Sequence, residues 1–255
     1  LDAFRAVCRR ALETRPSMAP VRSAALEAFD AFHTAAREGD LSTAARRIRE
    51  LIARRERDAV AAATHAAASI PHGARIVTLS RSESVLWALR DAAERVERLV
   101  VAESRPACEG RTTARLAASF GIPTTLVTDA AAAGECRQCD MLLFGADSIL
   151  PDGTVVNKTG TFPLCLAARH AGKEALCVAT PSKVMPAGVE PALERMDAGE
   201  LGPDIPGVTV KNACFERVPA SLVTRIVTGR GMSEPQQLAA RARRLREVQD
   251  RLLGA

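Results

Sequence analysis

The chain has 255 residues, and its 47% hydrophobic and 25% charged residues fit a globular protein and exclude a largely disordered one. No segment approaches the ~18 consecutive apolar residues of a membrane-spanning helix, so no membrane partner is predicted. The formal net charge is +5. The basic residues are interspersed with acidic ones in amphipathic helical patterns, which indicates solvated helix faces and disfavours nucleic-acid binding. The densest basic runs in these patterns are Arg46, Arg47, Arg49, Arg54, Arg55 and Arg57, followed by Arg241, Arg243 and Arg244.

Residues 1–72 are predicted to form a small N-terminal all-helical domain. Alanine, leucine and arginine dominate this region, and the apolar residues recur with helical spacing. Pro71 and Gly73 end the pattern, so we place the domain boundary between residues 72 and 73.

From residue 73 to residue 255, short apolar segments alternate with helical ones. This alternation predicts a Rossmann-like α/β domain whose sheet is mostly parallel and covered on both faces. Asp152 and Gly153 are typical of the turn of a hairpin. The predicted strands are 75–79, 99–102, 124–127, 141–144, 175–179 and 222–227. The predicted helices are 85–96, 111–120, 130–133 and 160–170, with a polar helix at the end of the chain.

The seven cysteines, with no leading apolar segment, indicate a reduced, cytoplasmic chain and not a disulfide framework. Cys136 and Cys139 form a CxxC pair. A single pair is a weak metal signal, and this one lies between a helix and the next strand, so two structural thiols are favoured. No metal site and no cofactor are predicted.

Candidate functional residues follow the predicted strands, because ligands bind at the carboxyl ends of the strands in parallel sheets. Ser80, Ser82 and Ser84 lie between the first strand and its helix, where hydroxyl and backbone N–H groups suit a phosphate. Alternatively, Ser82 only caps the helix, with Glu83 in its first turn.

Two basic residues at other strand ends have similar alternatives. Arg105 follows the second strand and suits an anion, or else forms an ion pair with Glu103 or Asp129. Lys183, after strand 175–179, is either a further cation of the same crevice or a solvated loop lysine.

Asp147 ends a strand that is apolar enough to be buried, and Asn157 and Lys158 come ten residues later. A carboxylate at a strand end beside a lysine and an asparagine fits an acid/base site with a phosphate or hydroxyl anchor. The alternative is that Asp147 caps the turn that follows it.

Several segments resemble, in order and spacing, one family of isomerases and translation initiation factor 2B subunits. The resemblance covers roughly residues 75 to 235, and the most specific segment is Gly145-Ala-Asp147, nine residues, then Asn157-Lys158-Thr-Gly-Thr161. The others include Glu103-Ser-Arg-Pro-Ala-Cys-Glu-Gly-Arg111, Gly121-Ile-Pro123, Thr128-Asp-Ala-Ala131, Thr180-Pro-Ser-Lys183 and Asn212-Ala-Cys-Phe-Glu216. The family includes ribose-1,5-bisphosphate isomerase and methylthioribose-1-phosphate isomerase.

The resemblance implies an N-terminal helical domain, a Rossmann-like domain and a homo-oligomer, dimeric or larger. It further implies a phosphorylated sugar or a nucleotide-derived metabolite as the ligand. In the isomerases a cysteine after the first strand and the aspartate of Gly-Ala-Asp move protons, and these positions correspond to Ser80 and Asp147. The implied substrate contacts are Arg22, Ser82, Glu83, Ser84, Arg105, Asn157, Lys158 and Lys183, the first of them by a loose alignment.

One departure from the family pattern concerns the chemistry itself. This chain has Ser80 where the isomerases have the catalytic cysteine. A thiol ionises near pH ~8.5 and can accept a carbon-bound proton, whereas an alcohol needs a neighbouring base. We therefore expect an isomerase-like protein with an altered proton relay, or alternatively a non-catalytic subunit that senses a phosphorylated metabolite.

Overall fold

A seven-stranded sheet forms the centre of the computed structural model, which describes residues 2–14, 18–202, 205–233 and 238–254. Its strand order is β10-β9-β7-β4-β1-β2-β3, and every neighbouring pair is parallel except β10 with β9. The predicted α/β fold with a mostly parallel sheet is confirmed. The strands of both sheets are β1 (Ala74–Leu79), β2 (Val96–Ala102), β3 (Thr124–Val127), β4 (Met141–Gly145), β5 (Ser148–Ile149), β6 (Val155–Lys158), β7 (Glu174–Val178), β8 (Phe215–Val218), β9 (Arg225–Thr228) and β10 (Gly231–Ser233).

Helices cover the sheet and form the N-terminal region. Within the described ranges, none of them has the length and hydropathy of a membrane-spanning helix. The helices are α1 (Asp2–Thr14), α2 (Ala19–Arg37), α3 (Leu41–Ala68), α4 (Glu83–Asp91), α5 (Gly110–Ser119), α6 (Asp129–Glu135), α7 (Thr161–His170) and α8 (Ala239–Leu253).

The central strands alternate between two hydrophobic cores, one on each face of the sheet. In β1, Val77 packs into one core and Ile76 into the other, while Phe144 and Leu143 of β4 divide in the same way. All five residues of β4 are buried. Because both faces are covered, these strands appear in the sequence as continuous apolar runs.

Two predicted boundaries are wrong. Helix α4 ends at Asp91, not at residue 96, because Val96 already pairs with Ala74 of β1 and belongs to strand β2. The predicted strand 222–227 begins only at Arg225, since residues 220–222 form a short 3₁₀ turn.

A second, three-stranded sheet has the order β5-β6-β8 and is antiparallel. Strands β5 and β6 form the hairpin that Asp152 and Gly153 predicted. Strand β8 was not predicted, and its pairing with β6 fixes the positions of Asn157 and Lys158.

Packing crosses the boundary proposed between residues 72 and 73 in two places. Ala66 of α3 and Ile70, just after the end of that helix, pack into the core on one face of the sheet. At the other end of the chain, Leu245 and Leu252 of α8 pack with Phe29 of α2. The division into two domains remains a prediction, and the helical region is built from both ends of the chain.

An ion-pair network joins α2, α3 and α8 around Glu27, whose side chain is 13% exposed. Its carboxylate accepts hydrogen bonds from Arg54 at 2.9 Å, from Arg55 at 2.6 Å and from Arg241 at 2.8 Å. Burial raises the pKa of Glu27, but Arg241 and Arg55 outweigh it and hold that pKa below its usual range. Arg55 and Arg241 are therefore partly buried ion-pair partners, and their interpretation as solvated residues is wrong.

We expect Glu27→Gln to lower the free energy of unfolding by about 2–3 kcal/mol at neutral pH, because two partly buried guanidinium groups lose their counter-charge. Since the folded-state pKa of Glu27 is lowered, its contribution is present above its unfolded pKa and is lost as the pH decreases through the folded value. Urea unfolding at pH 7 and at pH 4 measures both effects. Glu50→Gln is the matched control, because Glu50 pairs with Arg46 at the surface and should change stability by less than ~0.5 kcal/mol. Equal effects of the two variants would contradict the prediction.

Candidate active site

A cavity of 590 Å³ lies at the carboxyl ends of β1, β4 and β7, and residues of the small sheet also line it. Its lining comes from loops that are distant in sequence but adjacent in the sheet. Eight of the ten residues predicted for the site line it: Ser80, Ser82, Glu83, Ser84, Asp147, Asn157, Lys158 and Lys183.

The loop after β1 is held in a tight conformation. Ser80 has a φ of 58°, in the left-handed region that costs about 1 kcal/mol or more for a residue other than glycine. Its N–H donates to the hydroxyl of Ser104 at 2.6 Å, and its carbonyl accepts from the hydroxyl of Thr113 at 2.6 Å. These two hydrogen bonds hold the backbone of Ser80 in place where it lines the cavity.

The N-terminus of α4 approaches the end of β4 closely. Ser82 is the N-cap of α4 and accepts a long hydrogen bond of 3.5 Å from the N–H of Val85. A Cβ at Gly145 would lie 2.6 Å from the hydroxyl oxygen of Ser82, so only glycine allows this contact. Ser82 therefore caps α4 and also lines the cavity, so the two alternatives for this residue are compatible.

Asp147 follows β4, and its N–H donates to the carbonyl of Val156 in β6 at 2.9 Å. Burial raises the pKa of its carboxyl group, and the ammonium groups of Lys183 and Lys158 only partly offset this. The carboxylic acid form therefore persists to higher pH than in an exposed aspartate, as an acid catalyst requires.

Lys183 lies in the short turn after β7, and burial lowers its pKa although Asp147 favours the charged form. The pKa of Asp147 is raised and that of Lys183 is lowered, so burial brings the two values closer together. Perturbed pKa values of this kind within one cavity are typical of functional sites.

Lys158 is only 4% exposed and contacts three groups. Its Nζ lies 2.7 Å from the carboxylate of Glu109, 3.3 Å from the sulfur of Cys214 and 5.4 Å from the ring centroid of Phe215. Burial lowers the pKa of Lys158, but Glu109 outweighs this and raises it, so the side chain remains an ammonium ion. Asn157, the preceding residue, is buried and donates to the hydroxyl of Thr161 at 3.0 Å.

Arg22 and Arg105 are not brought to the cavity. Arg22 lies on the side of α2 that faces α8 and donates to the side chain of Gln249 at 2.9 Å. Arg105 is exposed; its N–H donates to Asp129, and its guanidinium donates to the carbonyl of Glu200 at 3.2 Å. Helix rotation and loop direction, which the sequence pattern does not encode, separate both side chains from the other eight.

Other cavity residues were missed by the sequence interpretation. Arg55 of α3 reaches the lining and also donates to Ser23 at 2.7 Å and to Glu27. Glu109 and Cys214 contact Lys158, and Glu194 belongs to the same lining. The only sequence signal for Arg55 was its place in a basic helical run, which is more often solvated.

A comparison with known protein families gives a match over most of the chain. The sequence profile described as the initiation factor 2 subunit family matches residues 3–235. The chain belongs to this family. The resemblance drawn from Gly145–Asp147 and Asn157–Lys158 is thereby confirmed.

Members of the family with related sequences include two kinds of isomerase. A ribose 1,5-bisphosphate isomerase of Haloferax volcanii is 31% identical over 252 residues, which cover 95% of this chain and 78% of that protein. A methylthioribose-1-phosphate isomerase of Heliobacterium modesticaldum is 38% identical over 148 residues, and the matched part covers 53% of this chain and 43% of that protein.

The fold also has a solved counterpart in the family. The crystal structure of translation initiation factor eIF-2B from Pyrococcus horikoshii OT3 superposes with a TM-score of 0.79 and 28% sequence identity. The superposition covers 92% of this chain and 83% of that one. The family therefore includes isomerases and initiation-factor subunits on one architecture, and the fold alone does not decide between the two activities.

Proposed function

We propose that this chain binds a phosphorylated sugar in the cavity and converts an aldose 1-phosphate into the corresponding ketose phosphate. The observation that carries the proposal is Asp147, a half-buried carboxyl group with a raised pKa, in one cavity with Lys158 and Lys183. Two ammonium groups attract a phosphorylated ligand, and a carboxyl group that holds its proton can protonate a sugar oxygen. The cavity volume of 590 Å³ is adequate for a pentose bisphosphate.

The proposed reaction needs one acid and one base. Asp147 donates its proton to the ring oxygen as the bond from that oxygen to the anomeric carbon breaks. A base removes the proton from the neighbouring carbon, and the electron pair forms a double bond between the two carbons. The base returns the proton to the anomeric carbon, while Asp147 takes the proton of the adjacent hydroxyl and leaves a ketone.

The other lining residues have binding roles in this proposal. Lys158, Lys183 and Arg55 are the cations that hold the phosphate groups, and Asn157 orients a sugar hydroxyl. Ser82 and Ser84 at the start of α4 add hydroxyl donors to the same wall. That the chain acts as a homo-oligomer remains a prediction from the family resemblance.

The second candidate function is a regulatory subunit that senses a phosphorylated metabolite without converting it. Ser80 favours this alternative, because an alcohol at this position cannot take a carbon-bound proton unaided. Both candidates require ligand binding in the cavity, and only the isomerase requires turnover.

A test of binding uses thermal unfolding with ribose 1,5-bisphosphate, methylthioribose 1-phosphate and ribose 5-phosphate, together with an assay for ketose product. A ligand at about 100 times its dissociation constant should add ~2.7 kcal/mol to the free energy of unfolding. We expect Lys183→Met to weaken phosphate binding by ~10-fold or more, because a charge-assisted contact is lost.

Lys211→Met is the matched control, since Lys211 is exposed and outside the cavity lining. Ligand stabilisation with product formation supports the isomerase, and stabilisation without product for any aldose 1-phosphate supports the regulatory function. If no phosphorylated sugar stabilises the protein, both candidates are wrong. If both lysine variants bind the ligand equally well, Lys183 does not hold the phosphate.

A further inference from the structure

Cys214 is the cysteine that the fold brings into the cavity. All seven cysteines lie in the described part of the chain, and of these Cys214 is the one that lines the cavity. Cys165 and Cys177 are buried in the core on one face of the sheet, and Cys108 is half-buried in the loop before α5. The thiol absent at Ser80 thus has a counterpart elsewhere in the same cavity.

The position of Cys214 is fixed by its backbone. Its carbonyl accepts from the N–H of Thr159 at 3.0 Å, and its N–H donates to the carbonyl of Glu194 at 3.1 Å. The following residue, Phe215, pairs with Lys158 in the small sheet. These contacts hold the sulfur 3.3 Å from the Nζ of Lys158.

The sulfur of Cys214 contacts a cation. The ammonium of Lys158 lies 3.3 Å from it, and a positive charge beside a sulfur favours the nucleophilic, proton-accepting form of a cysteine. Glu109 faces the same ammonium from the loop before α5 and disfavours a second negative charge there. Cys214 and Glu109 therefore compete for the positive charge of Lys158. A phosphate group bound in the cavity is expected to change this competition.

We propose that Cys214 is the general base of the isomerisation and replaces the thiol that Ser80 lacks; this inference rests on the proposed function. The thiolate takes the proton from the carbon next to the anomeric carbon and becomes a thiol. The same proton then goes to the anomeric carbon and regenerates the thiolate. Asp147 meanwhile moves one proton to the ring oxygen and takes one from the neighbouring hydroxyl, so atoms and charges balance.

The test compares Cys214→Ala with Cys108→Ser, a control whose half-buried sulfur contacts the carbonyl of Pro106 outside the cavity. Cys214→Ala should lower kcat by ~10²–10⁴-fold with little change in KM. Adding Ser80→Cys to Cys214→Ala should restore part of kcat, because it returns a thiol to the family position. Cys108→Ser should behave as the wild type.

A second measurement covers the case in which Cys214→Ala does not fold. Iodoacetamide alkylation of the wild type, followed by peptide mass spectrometry, should modify Cys214 before Cys165, whose pKa burial raises to about 12. Ribose 1,5-bisphosphate should protect Cys214, and the loss of turnover should follow its modification.

The two hypotheses fail in different ways. A wild type that converts no aldose 1-phosphate refutes the proposed function and, with it, the role of Cys214. A wild type that is active while folded Cys214→Ala keeps its kcat, or while fully alkylated Cys214 leaves turnover intact, overturns the role of Cys214 alone.

Discussion

Asp147→Asn is expected to lower the turnover of the sugar-phosphate substrate by ~10²–10⁴-fold while leaving ligand affinity within a few-fold of wild type. Asparagine keeps the size and most hydrogen bonds of the side chain but cannot donate an acidic proton to the ring oxygen. The raised pKa of Asp147 means that its acid form is present to higher pH than for an exposed aspartate. Wild-type kcat/KM should therefore decrease as the pH rises through that pKa, and the variant should lack this dependence.

Asp152→Asn is the matched control for this measurement. Asp152 lies in the β5–β6 hairpin turn, where it accepts a hydrogen bond from the N–H of Thr154 at 2.9 Å, and it does not line the cavity. Its replacement should leave kcat unchanged. If Asp147→Asn binds the ligand and keeps wild-type turnover and pH dependence, Asp147 is not the acid of the reaction.

Gly110→Ala is expected to lower the free energy of unfolding by at least about 3 kcal/mol. A Cβ at Gly110 would lie 1.9 Å from the carbonyl oxygen of Ala102, the last residue of β2, so the start of α5 would have to move away from the sheet. The preceding residue is Glu109, which contacts Lys158 at 2.7 Å. The substitution should therefore weaken ligand binding as well as stability.

Gly134→Ala is expected to raise the free energy of unfolding, in contrast to Gly110→Ala. Gly134 lies within α6, and a Cβ there would meet no other atom within 4 Å. The substitution should raise the free energy of unfolding by roughly 0.5–1 kcal/mol, because glycine loses more backbone entropy than alanine when it enters a helix. Urea unfolding of both variants at pH 7 measures the difference, and a Gly110→Ala protein as stable as the wild type would show that the strand and helix separate easily.

The α/β architecture and the place of the site were predictable because their signals are local. The apolar runs of β1 and β4 are buried on both faces, and the loops after them begin with Ser80 and with Ala146 before Asp147. Once such strands are parallel neighbours, their carboxyl ends meet at one edge. Eight of the ten candidate residues therefore line one cavity, and their functional roles stay a prediction.

The errors have a common physical origin. The end of α4 at Asp91 and the start of β2 at Val96 depend on pairing with β1, a contact between distant segments that local propensity does not report. Strand β8 exists because Phe215–Val218 pairs with β6, some sixty residues earlier in the chain. Whether such a segment forms a strand depends on the strand that pairs with it.

By itself, the sequence determined the succession of strands and helices, the family, and the loops that carry Asp147, Lys158 and Lys183, since each depends on residues near one another in the chain. Only the tertiary structure decided which further side chains share that cavity. Arg55 faces it because α3 packs on α2 with one particular rotation, and Arg22 faces α8 for the same reason. Cys214 reaches Lys158 through the pairing of β6 with β8. Such contacts join segments that belong to different helices and strands, and tertiary packing, which no local pattern encodes, determines them.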